Sequence, residues 1–104
     1  MGGKMNERKI RVYQKVDGYG HRILIENGDD CVGIDYDWVK KIYNVVPQSE
    51  LPFFKRVFRD IEGVLLDEED VLPILEQSRK SNRIDEKTIA ELINKHLEAI
   101  ISTP

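Results

Sequence analysis

The sequence has little of what marks several large classes of protein. It contains a single cysteine, Cys31, among 104 residues. An internal disulfide therefore cannot form, which excludes the small secreted proteins that depend on disulfides. No apolar run approaches the ~20 residues of a membrane-spanning helix, and the first residues lack the apolar stretch of a signal peptide. We expect a soluble cytoplasmic protein with no membrane partner.

Acidic residues outnumber basic residues only slightly. Sixteen Lys and Arg stand against nineteen Asp and Glu, and 40% of the residues are hydrophobic. This apolar fraction is too high for a wholly disordered chain, and the length suits one domain that can bury a core without disulfides. We predict a flexible N-terminal segment over residues 1–8 and a single α+β domain over residues 9–104.

The first third of the chain predicts three short strands. From residue 10 to 16, Ile10, Val12, Gln14 and Val16 alternate with Arg11, Tyr13 and Lys15, which is the period of a half-buried strand. Turn residues follow at 17–20 and at 27–30, where glycines supply the left-handed conformations that hairpins require. Residues 21–26 and 31–34 are the second and third strands. The pattern predicts an antiparallel meander.

Apolar residues at helical spacing then predict about four helices. The first would have Asp35 or Asp37 as its N-cap and end at Pro47. Its apolar stripe would comprise Trp38, Val39, Ile42, Tyr43 and Val46. The second would begin near Ser49 and end at Gly63. Its stripe would comprise Phe54, Val57, Phe58 and Ile61.

Two more helices are predicted in the last third. One would start at Asp70, because a start at Asp67 places Pro73 deeper in the helix, and would end near Lys80. The last would have Asp85 as its N-cap. Its stripe would comprise Ile89, Leu92, Ile93, Leu97 and Ile100. The predicted fold class is α+β: a three-stranded antiparallel β-meander followed by about four α-helices that pack on it.

No arrangement of residues points to catalysis or to a cofactor. His21 and Cys31 fall on adjacent predicted strands, but this pair matches no nucleophile motif and is better explained as a strand residue and a small core residue. Glycine-rich phosphate loops and serine nucleophile motifs are absent. We expect no enzymatic activity and no cofactor.

Four aspartates lie within nine positions: Asp29, Asp30, Asp35 and Asp37. Their order differs from that of a calcium-binding EF-hand loop, and their positions suit turns and a helix cap. One cysteine and two distant histidines give no zinc site. We predict no metal site.

A basic surface is predicted on the first two strands. If Ile10 and Val12 face the core, the opposite face carries Lys9, Arg11, Tyr13 and Lys15, and Arg22 joins them from the second strand. Cations beside an aromatic ring are typical of surfaces that bind single-stranded nucleic acid. The acidic balance of the whole chain opposes this function, because nucleic-acid-binding domains are usually basic.

The remaining class is protein interaction. The chain has many apolar helical positions for so few strands. Either a compact cover of four helices buries them all, or some form a partner surface or mediate self-association. The candidates are Leu51, Phe53, Leu65, Leu66 and Ile101. The predicted function is a small non-catalytic binding or adaptor protein that acts through protein–protein interaction, with a nucleic-acid-binding module as the alternative.

Overall fold

The computed structural model describes residues 8–18, 20–28 and 30–97, without the side chains of His96 and Leu97. These ranges contain six strands and three α-helices. In chain order they are β1 (Lys9–Asp17), β2 (Gly20–Asn27), β3 (Asp30–Asp37), β4 (Ile42–Val45), α1 (Leu51–Arg56), β5 (Val64–Asp67), α2 (Glu68–Lys80), β6 (Arg83–Ile84) and α3 (Glu86–Leu92). A 3₁₀ turn at Gln48–Glu50 precedes α1, and a π-helical turn at Ile93–Leu97 continues α3. No helix in these ranges is long and apolar enough to cross a membrane.

The strands form one antiparallel sheet in the order β5-β1-β2-β3-β4-β6. The first four strands are a meander joined by tight turns, and β5 and β6 are short edge strands. Tyr13 lies opposite Leu24, and Leu24 opposite Gly33, in the central register. The α+β class and the meander are confirmed, but the predicted count of three strands is wrong.

The predicted first helix is replaced by β4. After Asp37 the chain turns back, because the Asp37 Oδ1 accepts hydrogen bonds from the backbone N–H groups of Val39 and Lys40 at 3.0 and 3.1 Å. Lys41 then takes a left-handed conformation, with φ of 58°. Four residues of β4 pair with β3 beyond this turn. The helical spacing of the apolar residues is therefore coincidental, and three helices remain where about four were predicted.

Two strands were absent from the sequence prediction because each is too short to show an alternating pattern. In β5, Leu66 is buried while Leu65 is 52% exposed, and the strand pairs with residues 9–12 of β1. The two residues of β6 pair with Tyr43 and Asn44 of β4. Pairing with neighbours that are distant in sequence, rather than local propensity, makes both segments extended.

Both faces of the sheet are covered by helices. The inner face carries Ile10, Val12, Ile23, Ile25 and Ile34, all at most 1% exposed, and packs against α2 and α3. The outer face carries the alternate residues, and its centre is covered by Leu51 of α1 and by Phe58 from the turn after α1, which both pack around Leu24. Because α1 has only six residues, the ends of the outer face stay open.

The start of α2 differs from the sequence prediction. The helix begins at Glu68, with Asp67 at the N-cap position, so Pro73 lies inside it. The exposed Pro73 is tolerated near the start of a helix that packs through Val71, Ile74 and Leu75. The acidic first turn, which includes Glu68, suits the helix dipole. The predicted Asp85 N-cap position of the last helix is confirmed, and Ile100 lies outside the described residues.

Candidate functional site

The residues of the predicted basic surface do share one face. The register places Lys15 opposite Arg22, and strand alternation puts Lys9, Arg11 and Tyr13 on the same outer face as Lys15. The structure thus brings all five side chains to one side of β1 and β2. Whether this face binds nucleic acid stays a prediction.

Carboxylates accompany the cations on this face. Lys9 forms an ion pair with Asp67, which lies opposite it on the neighbouring strand β5. Asp17 Oδ2 lies 3.2 Å from Arg22 Nη2 and 3.8 Å from Lys15 Nζ. These pairs neutralise much of the positive charge that a phosphate backbone would meet.

Tyr13 is held within the outer-face packing. Its hydroxyl donates a hydrogen bond to Glu26 Oε1 at 2.9 Å, and its ring packs at a tilt against Phe58 with 6.1 Å between centroids. Burial, followed by the hydrogen bond to Glu26, raises the pKa of Tyr13. A ring in this position offers less surface for base stacking than a fully exposed one.

The five residues of the predicted partner surface are dispersed. Leu51 and Leu66 are 8% and 7% exposed and belong to the outer and inner cores, so neither is available to a partner. Phe53 and Leu65 are exposed, but Phe53 is on α1 beside β3 while Leu65 is on the β5 edge, three strands away. Ile101 lies outside the described residues.

Two exposed apolar side chains, including the most exposed large one of the described residues, are on a segment that the sequence prediction placed in a helix. In the turn between β3 and β4, which we call the Trp38 turn (residues 38–41), Trp38 is 66% and Val39 is 91% exposed. Lys40 and Lys41 complete the turn and are also exposed. The sequence signal that could have identified this turn is Asp37, whose side chain can bond to the N–H groups that follow it.

Asp37 fixes the backbone of the Trp38 turn. Its side chain bonds to the N–H groups of Val39 and Lys40, and its carbonyl oxygen accepts a further bond from Lys41 N at 2.7 Å. The hydrogen bonds from Lys40 and Val39 hold the pKa of Asp37 below its usual value. The apolar pair is therefore displayed on an ordered turn, because three hydrogen bonds converge on one residue.

A shallow groove lies where α1 meets strand β3. The Phe53 groove has a cavity volume of about 290 Å³ and is lined by Asp35, Val46, Glu50, Phe53 and Phe54. Burial raises the pKa of Asp35. Asp35 precedes Trp38 by three residues, a distance of about 10 Å along an extended chain. The groove and the Trp38 turn are therefore two candidate surfaces that strand β3 connects.

His21 and Cys31 do not form a reactive pair. His21 lies opposite Val16 at one end of β2, and Cys31 lies opposite Glu26 near the other end. Strand alternation also puts them on opposite faces of the sheet. His21 is instead part of an inner-face network, with Nε2 2.8 Å from Gln14 Oε1 and Nδ1 2.7 Å from the Tyr43 hydroxyl.

This network predicts how stability depends on pH. Burial lowers the pKa of His21 in the folded protein, so the unfolded chain takes up the proton first. The free energy of unfolding should be insensitive to His21 above its unfolded pKa of about 6.5 and should fall as the pH drops below that value. Urea denaturation at a series of pH values, on the wild type and His21→Gln, measures this. An equally steep decline between about pH 6.5 and 5 in both proteins would contradict it.

The remaining aspartates do not converge. Asp30 and Asp37 lie at opposite ends of β3, Asp35 lines the Phe53 groove, and Asp29 is outside the described residues. Within the described ranges no group of three His, Cys, Asp or Glu side chains is placed to hold a metal ion.

Comparison with known proteins identifies no relative. No protein-family model matches the chain, no curated protein matches it, and no solved structure matches it. The function must therefore be argued from the chain's own surface.

Proposed function

We propose that this is a non-catalytic binding protein that engages a protein partner through the Trp38 turn and the Phe53 groove. One observation carries the proposal: Trp38 and Val39 are 66% and 91% exposed on a turn that Asp37 holds in place. Neither side chain belongs to a described core cluster, so packing within the domain does not explain why apolar residues stand at these positions.

Such a turn has the properties of a binding element. Tryptophan is enriched among the residues that dominate binding energy at protein interfaces. An ordered turn loses little conformational entropy on binding, which favours affinity. Phe53, 67% exposed, adds a second aromatic group, and the Arg56 guanidinium lies 5.5 Å from the centre of its ring. The surface combines apolar anchors with a charged surround, as protein interfaces do.

The alternative function is nucleic-acid binding through Lys9, Arg11, Tyr13, Lys15 and Arg22. Their common face supports it, and the ion pairs with Asp17 and Asp67 oppose it. A random single-stranded oligonucleotide should show no binding at low salt. Binding that weakens steeply as salt rises would favour the alternative instead.

Capture from a cell extract with matched variants tests the protein-binding proposal. A partner retained by the immobilised wild type should be lost, by at least about tenfold in recovered amount, from the double variant Trp38→Ser/Val39→Ser. The control is Leu65→Ser, which removes an apolar side chain that is 52% exposed on the distant β5 edge. It should retain the partner. Loss from the control variant alone, or capture that is equal in all three proteins, would refute the proposal.

A further inference from the structure

One edge of the sheet is only half covered. Strand β1 has nine residues, and β5 pairs with the first four, Lys9 to Val12. In the described part of the chain no strand pairs with the same edge from residue 13 to 17. Val16, on this segment, is 56% exposed. We propose that the backbone edge of β1 beyond β5 pairs with the same segment of a second copy of the chain.

The hydrogen-bonding groups of this edge point outward at alternate residues. Asp17 and Gly20 close a two-residue turn and are a hydrogen-bonded pair, as are Lys15–Arg22 and Tyr13–Leu24 in the same register. The residues between them, Gln14 and Val16, direct their backbone N–H and C=O groups to the other side. There they extend the line of β5, where a further strand can pair with them.

Only one antiparallel register suits two copies related by a two-fold axis. Pairing Val16 with Val16 of the second copy joins the outward groups of both strands and sets Gln14 opposite Gly18 of the second copy. Moving the axis to residue 15 would set two lysines directly opposite each other and would direct the second copy into β5. Moving it to residue 17 would set two aspartates opposite each other, which is unfavourable.

The charges agree with this register. With the axis at Val16, Lys15 of each copy lies opposite Asp17 of the other, so Asp17, which pairs with Arg22 and Lys15 of its own chain, gains a second lysine across the interface. Val16 contacts Val16 of the second copy and becomes buried. The paired segment is short, so the dimer is weak and forms at high protein concentration.

Sedimentation equilibrium over a range of concentrations up to about 1 mM tests the proposal. The mass should rise toward that of a dimer in the wild type. Lys15→Asp and Asp17→Lys should each weaken association about tenfold, because like charges then face each other. The double variant Lys15→Asp/Asp17→Lys should regain association to within about threefold of the wild type.

Two further variants separate this inference from the proposed function. Val16→Pro removes a backbone N–H that β2 does not use and should abolish the dimer. Trp38→Ser/Val39→Ser should dimerise like the wild type, since the Trp38 turn belongs to a different surface. A monomer at every concentration overturns the inference, and so does a dimer that Val16→Pro and both charge variants leave unchanged. Neither result bears on capture of a partner by Trp38.

Discussion

Replacement of Ile74 by alanine should lower the free energy of unfolding by about 2–5 kcal/mol. Ile74 is 1% exposed and lies on α2, which packs it into the inner-face core with Leu75 and Val71. The substitution removes buried apolar surface and leaves a cavity between the helix and the sheet. This loss is large against the 5–15 kcal/mol typical of a whole domain.

Urea denaturation of Ile74→Ala beside Val39→Ala measures this effect. Both variants shorten an aliphatic side chain, but Val39 is 91% exposed, so its change should stay within about 0.5 kcal/mol. Similar losses in the two variants would mean that α2 does not cover the inner face or that the Trp38 turn is buried.

Substitution of Gly33 by alanine should destabilise the protein by about 1–3 kcal/mol. A Cβ at Gly33 would lie 2.7 Å from Phe54 Cδ2 and 3.1 Å from Leu51 Cδ1. Both residues are in α1. The Phe54 ring and the Leu51 side chain occupy the space that a side chain at residue 33 would take. An alanine would push α1 outward and loosen the wall of the Phe53 groove.

Gly18→Ala is the matched control, since a Cβ there meets nothing within 4 Å and the residue has no left-handed φ. Its free energy of unfolding should stay within about 0.5 kcal/mol of the wild type or rise slightly. If Gly33→Ala is equally harmless, the close packing of α1 on β3 is incorrect.

The alternation of apolar and polar residues, together with the turn residues, was sufficient to predict the meander. The period of two from Ile10 to Val16 and the Asn27-Gly28 turn are local signals, and they lie where the structure has β1, β2 and the turn to β3. The prediction for the segment after Asp37 was wrong, because the spacing of its apolar residues fits one face of a helix. These residues are Trp38, Val39, Ile42 and Tyr43. The bonds from Val39 N and Lys40 N to Asp37 decided for a turn.

Charge pairing on the outer face was beyond sequence reasoning for a different reason. The alternation in β1 is enough to place Lys9 and Lys15 on one face. It does not show that Asp67, 58 residues away, pairs with Lys9. That contact depends on β5, a four-residue strand that forms only by pairing with β1.

The sequence prediction missed most of the surface proposed for binding, because it placed the Trp38 turn in a helix. Phe53 was among the predicted partner residues and is exposed, but Trp38 and Val39 were assigned to a core. The opposite error was made for Leu51 and Leu66. Both were predicted to face a partner, and both are buried. Long-range pairing with β1 buries Leu66, packing of α1 against Leu24 buries Leu51, and the local bonds to Asp37 hold Trp38 and Val39 in an exposed turn.

The central claim is that Trp38 is exposed in the free protein and buried by a partner, and fluorine NMR tests it most directly. Trp38 is the only tryptophan, so protein labelled with 5-fluorotryptophan gives a single ¹⁹F signal. The free protein should show the shift and solvent-isotope effect of an exposed indole, and the partner captured by the wild type should move and broaden that signal. An indole shielded from solvent in the free protein, or a bound partner that leaves the signal unchanged, would contradict the account.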